Sequence, residues 1–184
     1  LERIKMSAET DYAFTRLLER HPDKIVTAWT TDSSCRPRFD GVEICPAARP
    51  DLYVDAPKSM EKFLLPVEKP AAFDQNSTPI FSFIYYVANL EMYNQAAKHS
   101  GFFNAFQDSD GYIRRTSLFM LHNGRPAPSL PLAMAQLALD DTVQVKLNDK
   151  HEVDSLTWSK SGKKIPVSPT GVAQINFRGP AGAF

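Results

Sequence analysis

The period of apolar and polar positions changes several times along the chain, and each change marks an element. From Ser7 to His21 the spacing is helical: Ala13, Phe14, Leu17 and Leu18 form one stripe, Ser7 stands where an N-cap belongs, and Glu9 and Asp11 suit the positive end of a helix. His21-Pro22-Asp23 closes it, and Lys24 to Thr30 then reads as a β-branched and aromatic strand. Between Thr31 and Thr78 no period persists, and prolines at 37, 46, 50, 57, 66 and 70 forbid long regular elements, so this segment is expected to be an irregular excursion, with short extended pieces near Asp51–Val54 and Phe63–Leu65. Pro79 to Val87 is a dense aromatic run, a strand or an extended connection against the core. Asn89 is placed to cap a short helix through Ala97, with Leu90, Tyr93 and Ala97 on one side, before Lys98-His99-Ser100-Gly101 stops it.

The stretch from Gly101 to Leu139 carries the clearest pattern. Gly101 to Phe106 is rich in aromatics and reads as a strand, Asp108-Ser109-Asp110-Gly111 has the chemistry of a reversing turn, and Gly111 is expected at positive φ, so a hairpin is predicted with the strand that follows. On that strand Tyr112, Arg114, Thr116, Leu118 and Met120 would share one face, and Ile113, Arg115, Ser117, Phe119 and Leu121 the other. Both faces begin polar and turn apolar, as in a strand covered on both sides over its second half. The same alternation predicts that Arg114 and Arg115 leave on opposite faces. After the turn His122–Pro126, Ser129 offers its hydroxyl to the free amides of a helix with Pro131 in its first turn, and Leu130, Met134, Leu137 and Ala138 are expected to form its inner face. Thr142 to Leu147 alternates like a half-exposed strand, Thr157–Lys160 and Lys164–Val167 flank Ser161-Gly162 as a second hairpin, and Gly171 to Arg178 is the last strand. Helices alternating with strands early and hairpins late predict an α/β fold, a mixed β-sheet covered by helices, in one domain over 1–184 with 31–78 as its excursion.

The order Gly-Phe-Phe-Asn, Asp-x-Asp-Gly, Arg-Arg, then Gly before Pro-Ser-Leu and an Ala/Leu-rich helix resembles the CHASE type 2 domains, sensory modules on the extracytoplasmic side of bacterial transmembrane receptors. Ile175-Asn176-Phe177-Arg178-Gly179-Pro180 resembles a second motif of that family, in the same order. The resemblance implies a non-catalytic input module of a histidine kinase, nucleotide cyclase or diguanylate cyclase, on the periplasmic or extracellular face of a bacterial membrane. It also implies that the chain is an excerpt of a longer, membrane-anchored protein, that the signal is a small molecule or a protein, and that the module works as a homodimer shifting between two packings. The Pro-rich segment shows no match to the family beyond its place in the order.

Composition narrows this further. Lys plus Arg and Asp plus Glu stand at 21 each, so no bulk charge argues for nucleic acid or an anionic surface, and 43% apolar residues suffice for a core. Cys35 and Cys45 bracket a polar, Pro-containing segment; by themselves they read as inert thiols or part of a metal site, and in the oxidising compartment the resemblance implies they read as a disulfide. Asp108-Ser109-Asp110-Gly111 opens like a calcium loop, but Phe119 stands where the closing Glu belongs, so Asp108, Asp110 and Gly111 are read as a turn and no metal or cofactor is assigned. His21, His99, His122 and His151 stand singly at predicted turns or element ends, where a solvated side chain is expected. No nucleophile elbow, His-x-x-x-His pair or phosphate loop occurs, which leaves an enzyme assignment without support.

Arg114, Arg115 and Arg178 are the candidate ligand contacts, as forked donors near strand ends. The competing expectation for the twin arginines is that at least one pairs with Asp108 or Asp110 and staples the turn. Beside the sensor reading stand a dimerisation or partner-binding scaffold and an enzyme built on the Asp/Arg cluster.

Overall fold

The computed structural model describes residues 2–31, 58–68, 78–83, 86–87, 89–122, 124–177 and 179. Cys35, Cys45, Arg178 and the extended piece expected at Asp51–Val54 lie outside these residues. The fold is α/β with mixed sheets, as the pattern of elements predicts.

Strand β1 (Val26–Thr31) runs parallel to β5 (His99–Phe102) and antiparallel to β4 (Tyr86–Val87). A parallel bridge from Phe102 to Ser129 joins this sheet to a second one, in which β7 (Phe119–His122) lies between β3 (Ser82–Phe83) and β8 (Arg125–Pro128). A third sheet pairs β9 (Val143–Leu147) with β10 (Val153–Trp158) and with β2 (Val67–Glu68). β6 (Arg115–Ser117) and β11 (Val172–Gln174) form a two-stranded antiparallel ribbon.

Every residue of β7 is buried, and its alternation divides the interior. Met120 points into a core with Trp29, Phe63, Phe83 and Phe102, whereas Phe119 and Leu121 point into another with Leu132, Val143, Val145 and Leu156. Burying side chains of this size stabilises by about 1.5–3 kcal/mol each. The strand is thus covered on both sides over its second half, as its apolar positions foretold. The alternation of β9 and the turn at Gly162 that returns Lys164 to Thr157 also follow the sequence pattern.

Other elements depart from it. The first helix, α1 (Glu2–Arg20), begins before Ser7, and of the expected stripe only Leu18 is buried; Ala13, Phe14 and Leu17 are exposed. α1 leans on the short helix α2 (Glu91–Ala96) through an edge contact of Phe14 with Tyr93 and a hydrogen bond from the Tyr93 hydroxyl to Asp11 at 2.5 Å. Asn89 does not cap α2: it donates to the Ala28 carbonyl of β1 at 2.8 Å, and the α2 N-cap is Leu90. Within the Pro-rich segment, a 3-10 helix at Lys58–Phe63 and the turn after it put Met60, Phe63 and Leu65 into the two cores. Core membership there comes from contacts distant in sequence, which a search for periodicity does not detect.

The hairpin expected between Gly101–Phe106 and the strand after Gly111 is absent. The first strand is β5, and it pairs with β1 and not with β6 or β7. The cause lies in helix α3 (Leu130–Leu139), whose N-terminus meets β5 at Gly101. A Cβ on Gly101 would stand 2.6 Å from the backbone of Ser129 and Leu130, so only glycine allows this approach. Gly101 is therefore a packing position inside a strand, not a helix stop.

Ser129 accepts from the Leu132 amide at 3.4 Å and caps α3. The buried face of α3 is Leu132, Ala133 and Gln136, while Met134, Ala138 and Leu139 are exposed, the reverse of the expected face. The helix is apolar almost all round, so its own period could not choose a face; the contact of its start with β5 chose it.

Candidate functional site

The turn at Asp108 is closed by its own backbone. The Gly111 amide donates to the Asp108 carbonyl at 2.9 Å, and the Asp108 amide donates to the Tyr112 carbonyl at 2.8 Å. Gly111 has φ 84°, a conformation that L side chains rarely adopt, and the Tyr112 amide donates to the Asp110 carboxylate at 3.2 Å. The chain leaves the turn without regular structure until β6 begins at Arg115.

Strand alternation therefore does not govern Arg114, and the two arginines converge instead of diverging. Arg115 Nε donates to Asp108 Oδ1 at 2.8 Å, and its Nη2 donates to the same oxygen. Arg114 Nη1 lies 2.7 Å from Asp110 Oδ2 and 3.6 Å from Asp108 Oδ2, and its guanidinium sits over the Tyr112 ring, 4.9 Å from the centroid. The Asp108 side chain is only 11% exposed, against 43% for Arg115 and 50% for Arg114. A nearly covered carboxylate thus lies at the centre, with two partly wet guanidiniums around it.

The electrostatics follow from this geometry. The hydrogen bond from Arg114, helped by the Tyr112 amide, holds the Asp110 carboxyl below its ordinary pKa, and the same bond raises Arg114 above its own. Both acidic groups of the Asp-x-Asp-Gly sequence are engaged by arginine, as in the turn reading. Among the described residues no three His, Cys, Asp or Glu side chains gather as a metal site would require.

The cluster is tied to the C-terminal strand. The Ile175 amide donates to the Arg114 carbonyl at 2.8 Å, and Gln174 lies opposite Arg115 in the ladder. The two sequence motifs, far apart along the chain, are hydrogen-bonded neighbours. Arg178, the third candidate contact, follows this strand outside the described residues. A family model described as the CHASE2 domain matches residues 4–184.

The chain belongs to the CHASE2 family. CHASE2 domains are extracytoplasmic sensor domains, so this chain is a sensory module for signal transduction outside the cytoplasm. No curated protein and no solved structure matches it. Among the described residues no helix is long and apolar enough to cross a membrane.

Two features of this CHASE2 chain lay beyond the sequence reading. His122 is not at a solvated turn: it ends β7, is buried, and stacks on Phe83 with ring centroids 5.2 Å apart. Burial holds its pKa below 6.5, the Phe83 backbone opposes that and the Arg125 charge adds to it. His99 in β5 is lowered as well, first by burial and then by Lys98. The signal for His122 was present in the unbroken apolar run that it ends, Leu118 to Leu121. The close approach at Gly101 had a signal too, a glycine leading an aromatic strand.

Proposed function

We propose that this CHASE2 chain is the input module of a transmembrane receptor of the histidine kinase, nucleotide cyclase or diguanylate cyclase kind, and that it performs no catalysis itself. It faces the periplasm or the cell exterior in a bacterial protein that is membrane-anchored at full length, and 1–184 acts as one sensor-type domain. The observation that carries this reading is the CHASE2 match over residues 4–184, which includes the ion-paired Asp108–Arg115 turn. In that turn Asp108 and Asp110 are both engaged by arginine, and Asp110 is held below its ordinary pKa by its bond to Arg114. The cluster is built to hold a conformation.

The same pairing offers a route for a signal. A small carboxylate or phosphate reaching Arg114, half exposed, competes with Asp110 for the guanidinium. Releasing Asp110 frees its bond to the Tyr112 amide and loosens the lead into β6, hence the ribbon with β11. A ligand that favours the loosened arrangement shifts the population toward it. Balanced charge, 21 against 21, gives no reason to expect nucleic acid as a partner.

The test measures output of the full-length protein in membranes, as autophosphorylation or cyclic nucleotide formation, across a panel of small carboxylates and phosphates, beside thermal melts of this domain. An anion that changes both output and melting midpoint, with both responses lost in Arg114→Ala, supports the reading. Downstream sequence without a kinase or cyclase, or output that no anion changes, would overturn it.

A further inference from the structure

Among the described residues the outer edge of β11 pairs with no other strand, and past Val172 no lysine, proline or loop covers it. In the β6–β11 ladder Leu118 donates to the Gly171 carbonyl and Ile175 donates to the Arg114 carbonyl, so the odd-numbered residues of β11 bond inward to β6. The even-numbered ones face outward. Val172 is satisfied there, because Ser168 donates its amide to the Val172 carbonyl and accepts from the Val172 amide through its hydroxyl. The backbone groups of Gln174 and Asn176 have no such partner among the described residues.

Unpaired edges are normally blunted by lysine, proline, a bulge or a covering loop. The outer edge of β10 is covered in this way, since Trp158 donates to the Lys163 carbonyl, Ile165 donates to the Leu156 carbonyl and Val153 donates to the Pro169 carbonyl. The run Val172-Ala173-Gln174-Ile175-Asn176-Phe177 has no charge and no proline. Its odd-numbered side chains, Ala173, Ile175 and Phe177, are apolar, and Phe177 is 67% exposed.

We infer that β11 pairs antiparallel with β11 of a second copy of this chain, across a twofold axis at Ile175, joining two ribbons into one four-stranded sheet. The register follows from the open groups. Gln174 of one copy and Asn176 of the other are then directly opposite and exchange amide and carbonyl bonds, and the twofold repeats the exchange. Ile175 faces its own copy in the closely spaced, non-hydrogen-bonded position. Phe177 falls opposite Ala173 on the same face, a large side chain over a small one, as cross-strand packing favours. Asp108 and Asp110 neutralise Arg114 and Arg115 one strand away, so these four side chains add no net charge beside the pairing. This pairing rests on the edge alone and does not require the ligand route proposed above.

The test is oxidative crosslinking in membranes carrying the full-length protein, with Ile175→Cys compared with Gln174→Cys and with the parent. At Ile175 the paired Cα atoms would be about 4.5 Å apart, within disulfide reach, whereas Gln174 faces Asn176 and not itself. The expected result is a crosslinked dimer for Ile175→Cys, about tenfold above both controls, and a dimer weakened about tenfold or more by Ile175→Lys, which sets like charges opposite each other. Circular dichroism and a melt of the domain check that Ile175→Lys remains folded. Equal crosslinking at 174 and 175, or a dimer indifferent to Ile175→Lys, places the interface elsewhere and overturns the inference. A full-length protein with no crosslink at 175 overturns it as well, whatever its response to anions.

Discussion

Asp108 Oδ1 accepts from Arg115 Nε at 2.8 Å, and of the two side chains the carboxylate is the better covered. This asymmetry decides what each substitution around the turn should do. A buried carboxylate that loses its cation keeps the cost of its desolvation, whereas an exposed arginine that loses its partner returns to water.

Arg115→Ala should therefore destabilise the domain by about 1–3 kcal/mol, because it leaves Asp108 covered with Arg114 at a longer distance. Arg114→Ala should lower the denaturation midpoint by less, because the Asp110 it releases is half exposed and returns to water. Urea melts of Arg114→Ala, Arg115→Ala, Asp108→Ala, Asp110→Ala and the two double variants would show coupling between 108 and 115 well above that between 110 and 114. Equal effects of the two arginines would remove this ordering.

Gly101 and Gly111 should fail for different reasons. A Cβ at Gly111 meets nothing within 4 Å, so Gly111→Ala costs only the left-handed backbone at φ 84°, about 1–2 kcal/mol, and Gly111→Asn should recover part of it. Gly101→Ala instead drives a methyl into the start of α3, a cost of about 1–3 kcal/mol or more, and Gly101→Asn recovers nothing. Melting all four variants checks the contrast: rescue by Asn at 101 would contradict the steric account.

Stability should fall on mild acidification. His122 and His99 both have folded pKa values below 6.5, so as the pH drops the unfolded chain takes up these protons first. Their contribution is complete above 6.5 and is lost as the pH falls through the lower folded values. Urea midpoints measured between about pH 7.5 and 5 should decline in the parent and decline less in His122→Gln. A slope unchanged by that substitution would show that His122 titrates alike in both states.

What the sequence by itself determined was local. The turn at Asp108–Gly111, the cap at Ser129, the buried half of β7 and the alternation of β9 each depend on residues within one element, and each stands where its residues put it. The ordered motifs likewise identified the family, since they are strings. Partners were another matter. Whether the aromatic run at Gly101 folds onto the next strand or onto β1 is not written in that run, because either pairing satisfies its backbone; the contact of Gly101 with the start of α3 excluded the hairpin. The buried face of α3 was equally undetermined, an apolar helix having no period to read, and α1 carries an apolar stripe that the described fold leaves mostly open. Arg114 and Arg115 show the same division within one site. Their attraction to Asp108 and Asp110 followed from charge and proximity in the chain, but their convergence on a covered carboxylate depended on where β6 begins, and the pairing of β6 with β11 sets that point.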